Sequence, residues 1–306
     1  MSCDMSRRQF LSSTLAAAPL VALAVEGAHA AAPGKLPPVC LFSKPLQSMD
    51  YKTLAQACKA AGLDGVDLTV RPGGHVEPDR VDTDLPAAVD AMRAEGLEVT
   101  MITTKYTDVK GPNVSGVLAR AAALGIPFVR VGSHQYDGRG AIAPQVLRFT
   151  EELRALAAEA EKAGITLGYH NHSGGANFGG PVWDLCQAIE SVNSPRLGSN
   201  FDLGHAAVEG AFSMWEINTR RIAPLVKMVA VKDFVWEGSK PAWVPLGEGR
   251  VDTARGLALL RESGGFAGPV SIHIEYKTRN TDAVVEDTRR AAALVRDCLA
   301  KAGYTA

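Results

Sequence analysis

The chain has 306 residues, 46% of them hydrophobic and 21% charged, with a formal net charge of −1. That balance lacks the basic excess with which a nucleic-acid binder neutralises phosphates, so no nucleic-acid partner is expected. Length and apolar content suffice for a large core, and scattered cysteines without CxxC spacing point to buried free thiols rather than a disulfide framework.

Residues 1–30 read as an export signal and not as part of the fold. Ser6-Arg7-Arg8-Gln9-Phe10-Leu11 opens them, an apolar run follows, and Ala28-His29-Ala30 offers a small-x-small cleavage site. The arginine pair points to the twin-arginine route and a periplasmic or secreted product. The apolar run is shorter than the roughly 20 residues a span needs, so the mature form, 31–306, is expected to stand free of the membrane.

From there β-rich runs alternate with stretches of helical apolar spacing. Strands are expected at 39–42, 65–70, 98–103, 128–131, 166–171, 197–201, 226–232 and 270–275. Helices are expected at 51–61, 85–95, 114–124, 144–163, 182–191, 213–222, 253–262 and 281–302. Gly62, Gly96, Gly125 and Gly164 close four of them at the left-handed cap position. Eight strand–helix units predict an α/β fold: a single-domain (β/α)8 TIM barrel over 31–306. A doubly wound open sheet is the alternative, but no GxGxxG follows the first strand.

Such barrels place their chemistry at the C-terminal mouth, so polar residues at strand ends matter most. The second strand offers Asp67, then Arg71 and His75; the fifth His170 and His172; the sixth Asp202 and His205. The seventh offers Lys232 and the eighth His273 and Glu275. Of seven histidines, five fall at or just after expected strand ends, and His134 follows the fourth strand in "VGSHQY". His170, Asp202, His273 and Glu275 make an imidazole–carboxylate set suited to Mn, Fe, Co or Zn. The competing reading is a rim of ordinary polar residues satisfied by their neighbours.

The runs "AAGLDGVDL", "GITLGYHNH", "SNFDLGHA", "VAVKDF", "PLGEGRVD" and "GPVSIHIEY" carry a resemblance over about residues 39–302. The chain resembles the sugar phosphate isomerase/epimerase family. These xylose isomerase-like barrels include ketose 3-epimerases, inosose dehydratases and apurinic-site endonucleases. The resemblance implies a divalent metal. Asp202 matches the ligating aspartate, and His205 matches its companion three residues on. His170 stands where relatives carry a ligating glutamate, with His172 matching the histidine that follows. Ala230 replaces a usual ligating histidine, and the last glutamate ligand falls at His273 or at Glu275.

The family's epimerases use two metal-bound carboxylates as opposed general acid and base. Histidine at residue 170 still accepts a proton. Lys232, two residues beyond Ala230, is placed to steady an oxyanion or to pair with Asp233, Glu248 or Asp202. Arg71 and His75, with His172 and His205, are expected substrate contacts. Trp236 and Trp243 either face a sugar ring or anchor a long loop.

The expected activity is that of an exported, metal-dependent sugar isomerase or epimerase, with His170, Glu275 and Lys232 catalytic in proton transfer beside a carbonyl. The expected partner is a small carbohydrate, and a homo-oligomer is compatible with the sequence. One alternative is a lyase that eliminates the aglycone from a 3-oxo-glycoside. Another is a non-catalytic sugar-binding protein that has lost its metal, for which Ala230 is the evidence. A nuclease ranks last for want of a basic groove.

Overall fold

The computed structural model describes residues 36–305. The export signal expected at 1–30 lies outside the described residues. Eight parallel strands form a closed barrel: β1 (Val39–Phe42), β2 (Gly65–Thr69), β3 (Glu98–Thr103), β4 (Phe128–Val131), β5 (Thr166–His170), β6 (Leu197–Asp202), β7 (Val226–Val231) and β10 (Val270–Ile272). The ring closes where β1 meets β10, pairing Val39 with Val270 and Leu41 with Ile272. That pairing excludes the open sheet. The strands are buried almost throughout, which is why they read as near-continuous apolar runs rather than alternating ones.

The helices are α1 (Tyr51–Ala60), α2 (Val81–Ala94), α3 (Val114–Ala123), α4 (Ile142–Ala163), α5 (Trp183–Val192), α6 (Leu203–Glu209), α7 (Met214–Ile222), α8 (Thr253–Gly264) and α9 (Thr281–Lys301). Asp50, Asp252 and Asn280 cap α1, α8 and α9 by accepting a backbone N–H three residues on. Gly164 ends α4 at φ 74°, the left-handed cap expected of it. The second helix begins at Val81 rather than at 85. Pro86 lies in its second turn, where it removes one ladder bond, and acidic Asp82 and Asp84 favour the first turn.

Other elements also differ from the sequence expectation: α6, capped by Asp202, stands where no helix was expected. The segment after β7 is not a plain loop but an antiparallel hairpin, β8 (Asp233–Glu237) with β9 (Lys240–Val244), turning at Gly238 with φ 62°. The eighth barrel strand stops at Ile272 rather than at 275. His273 still donates its N–H to Val231, but β7 then leaves the barrel into the hairpin, and no ladder partner follows.

The barrel's inner face is graded from apolar to polar. Cys40, Met101 and Met228, with Phe128 packed on them, form an apolar cluster of their own. Two residues further along the same strands come Phe42, Thr103, Ala230 and Arg130, on the same inward face. Gly168 makes room for this filling, since a Cβ there would lie 2.0 Å from the Met228 methyl.

Candidate active site

Asp202 is the organising residue of the mouth, and the end of β5 holds it. Asn171 accepts from the Asp202 backbone N–H at 2.7 Å and donates to its carbonyl at 3.2 Å. Asp202 then caps α6: its Oδ1 accepts the His205 N–H at 2.8 Å. Only Oδ2 is left to face the barrel axis. It lies 3.5 Å from His170 Nε2, 3.3 Å from Lys232 Nζ and 4.0 Å from His273 Nδ1.

Lys232 reaches up from the end of β7. Its Nζ donates to Glu275 Oε2 at 2.6 Å and lies 2.7 Å from His205 Nε2. An ammonium offers donors only, so His205 Nε2 accepts and its Nδ1 carries the proton. That Nδ1 lies 2.8 Å from Ser173 Oγ, which accepts. The Trp243 ring covers the ammonium at 4.1 Å and meets His205 edge-on at 5.0 Å. Trp243 is therefore part of the site, whereas Trp236 packs edge-on against Phe234 in the hairpin.

Two overlapping groups have donor atoms within 4.8 Å of one another: His170, Asp202 and His273; and His170, His172 and His205. Both nitrogens of His205 are already engaged, so the second group lacks a free donor. In the first group, His170 Nδ1, Asp202 Oδ2 and both nitrogens of His273 are buried without a hydrogen-bond partner among the described residues. Unpaired buried polar atoms are costly, and a divalent ion would satisfy several at once. The residues present fit such an ion. Glu275, also expected as a ligand, lies outside both groups and pairs instead with Lys232 and, at 3.8 Å, with Lys44.

Electrostatics keep the imidazoles neutral. Burial, then the Arg130 charge, pushes His170 well below the usual histidine range, His172 down to about 4 and His273 to about 3. Burial, then Lys232, does the same to His205. Burial alone would raise Glu275, but Lys232, His273 and Lys44 outweigh it and hold the carboxyl well below its ordinary range.

Arg71 is half-buried at the mouth, its guanidinium 5.4 Å from the centre of the Phe42 ring. His75 serves its own loop: Nδ1 lies 3.1 Å from both Ser43 Oγ and Thr69 Oγ1, and Nε2 lies 3.3 Å from the Leu46 carbonyl. Neither nitrogen of His75 is free for the substrate contact expected of it. His134 sits apart, 2.9 Å from Glu152 and among Phe149, Tyr169 and Phe178.

Sequence reasoning passed over Arg130. The signal was present in "FVRV": Val129 and Val131 face the helices, so the residue between them faces the barrel interior.

Residues 55–298 match the sequence profile of the xylose isomerase-like TIM barrel. The chain belongs to this family. Among curated proteins no sequence matches it. Among solved structures it is similar to the IOLI protein with a bound zinc atom, at TM-score 0.71 and 16% identity over 86% of this chain and 98% of that one. A xylose isomerase domain protein from Alicyclobacillus acidocaldarius superposes at TM-score 0.69 and 17% identity, covering 87% of this chain and 99% of that one. The 3-keto-D-glucoside 4-epimerase from E. coli superposes at TM-score 0.67 and 13% identity, covering 86% and 100%. Ketose 3-epimerases and a probable dehydratase share the same barrel. The buried His170–Asp202–His273 group of this xylose isomerase-like chain offers donors suited to a divalent metal.

Proposed function

We propose that this protein is a metal-dependent carbohydrate isomerase or epimerase that moves a proton beside a carbonyl, and that it works outside the cytoplasm, as Arg7-Arg8 suggests. The observation that carries the reading is the pairing of two units in one mouth. One is the unsatisfied His170–Asp202–His273 group, and the other is the hydrogen-bonded Glu275–Lys232–His205 chain. His170, Asp202 and His273 would hold the metal, which when bound polarises a carbonyl as a Lewis acid. The epimerase names among the structural neighbours agree with it.

The chain's own residues then divide the work. A general base is most effective with a pKa near the working pH. His172, at about 4 and with a buried unpaired Nδ1, is nearer that range than Glu275, which two lysines hold ionised. The proton-moving role expected of Glu275 therefore passes to His172. As His172 takes the proton from the carbon beside the carbonyl, negative charge grows on the carbonyl oxygen. The Lys232 ammonium, fixed between Glu275 and His205, donates to that oxygen. Return of the proton from His172 to the neighbouring carbon isomerises the sugar, whereas inversion takes its proton on the other face from solvent. The Trp243 face excludes water on one side.

A lyase reading shares the first step and is favoured by one observation. The Lys232–His205–Ser173 chain leads out of the site and would hand a proton to a departing oxygen. Release of free aglycone from a 3-oxo-glucoside separates the two outcomes.

The test is solvent-deuterium exchange into ketoses and 3-oxo-glycosides, with metal content measured on the same samples after titration with Mn, Co or Zn. His172→Ala is expected to keep stoichiometric metal and to lose exchange by about 10²–10⁴-fold. Asp202→Ala is expected to lose the metal itself. Wild-type protein that binds no metal and catalyses no exchange would end the enzyme reading in favour of a sugar-binding one.

A further inference from the structure

Arg130 stands on the inner face of β4 with 8% of its surface exposed. Its Nε and Nη1 are buried with no hydrogen-bond partner among the described residues. A guanidinium in that position costs several kcal/mol in lost hydration unless something answers it. Asp67 is the acidic group that acts on it most strongly, but the Asp67 oxygens accept from Thr103 Oγ1 at 2.6 Å and Ser271 Oγ at 2.9 Å and form no hydrogen bond with the unpaired Nε and Nη1. What the fold provides is an apolar rest: the Phe42 ring, 5.3 Å from the Arg130 guanidinium carbon and 5.4 Å from that of Arg71. The same ring stacks on His273 at 4.6 Å, so both guanidinium groups border the metal-compatible group.

Arg71, Arg130 and Lys232 gather at this mouth, and Arg130 is the basic residue whose buried donors have no partner among the described residues.

We propose that Arg130 recognises a carboxylate carried by the carbohydrate itself, so that the substrate of this site is an acidic sugar, such as a uronate, rather than a neutral one. This rests on the carbohydrate reading above and narrows it. A planar carboxylate spans two adjacent N–H groups of the guanidinium fork, and each of its two edges, Nε with Nη2 or Nη1 with Nη2, includes one of the unpaired donors; hydrogen bonds of this charge-assisted kind are the strong ones. Arg71, on the more open side of Phe42, closes on the same anion.

The test is calorimetric titration of the full chain with D-glucuronate, D-glucose and D-glucose 6-phosphate, which need not turn over. Wild-type protein is expected to bind glucuronate at least about tenfold more tightly than glucose, with Arg130→Gln abolishing that preference. Arg130→Lys, which keeps the charge but not the fork, is expected to lose most of it, and serves if the glutamine variant does not fold. Equal binding of glucose and glucuronate, or a preference that survives in Arg130→Gln, overturns the inference and leaves the proposed function standing. Tighter binding of glucose 6-phosphate than of glucuronate overturns the carboxylate in favour of a phosphate. Failure of all three sugars to bind removes the carbohydrate reading, and this inference with it.

Discussion

Asp67 shows what the barrel does to a single ionisable group. It is fully buried, and burial lifts its pKa from 3.8 to about 6 despite the Thr103 and Ser271 hydrogen bonds and the Arg130 charge. Between those two values the folded chain holds more protons at this residue than the unfolded chain does. Its contribution to stability is therefore present at low pH and is lost as pH rises through about 6. Asparagine keeps the shape without the charge. The melting temperature of Asp67→Asn minus that of wild type is expected to grow between about pH 4 and pH 7 and then to level off. His172 and His273 have lowered pKa values and act in the opposite sense, losing stability as pH falls, but they are common to both proteins and cancel in the difference. A difference that stays flat across the range would mean that Asp67 is not raised. The polar residues at strand ends were legible in the sequence because their type is unusual there. Arg130 was legible only through its flanking valines, because one arginine in a strand looks like surface until the sheet is known to close. The engaged nitrogens of His75 and His205 were also hidden, since Ser43 and Ser173 reach them from distant positions.

At the scale of an element, the hairpin after β7 was legible only in part. The "VWEGSKPAW" stretch carries a Gly-Ser turn, yet its strands are half exposed and lack the apolar run that marks the barrel strands. Asp233, buried at the root of the hairpin, sets the shape of the following "PLGEGRVD" loop. Its carboxylate accepts four backbone N–H groups, from Phe234, Gly247, Gly249 and Val251, at 2.9–3.0 Å. Gly249 is needed because a Cβ there would lie 2.1 Å from Asp233 Oδ1. Asp233→Ala strands those donors and is expected to cost about 2–4 kcal/mol in urea unfolding. It is also expected to weaken sugar binding, since Trp243 on β9 loses its support over Lys232. A loss under about 0.5 kcal/mol would show that water replaces the carboxylate without penalty.

For the whole molecule, cohesion comes from the layer between barrel and helices together with the apolar plug inside the barrel. Cys40 belongs to the plug, while Cys58, Cys186 and Cys298 belong to the layer, and all four are buried free thiols. Burial raises the pKa of each, most strongly for Cys40. These four are expected to resist Ellman's reagent in the native protein and to react together on unfolding, and reductant is expected to leave the melting temperature unchanged. Reaction of one in the native state would reveal a local opening of its strand or helix. The sequence by itself determined the eight alternating units, their order and which residues stand at strand ends, because those follow from local periodicity and from caps such as Gly164. Only the tertiary structure decided which of those residues meet. The barrel brings β5, β6, β7 and β10 together around one axis. Whether Lys232 takes Glu275 away from the metal group, or whether Arg130 is left unpaired, depends on distances of a few ångströms between segments as many as 231 residues apart, as Phe42 and His273 are. Local pattern specifies the face a side chain points to, and ring closure specifies its neighbours.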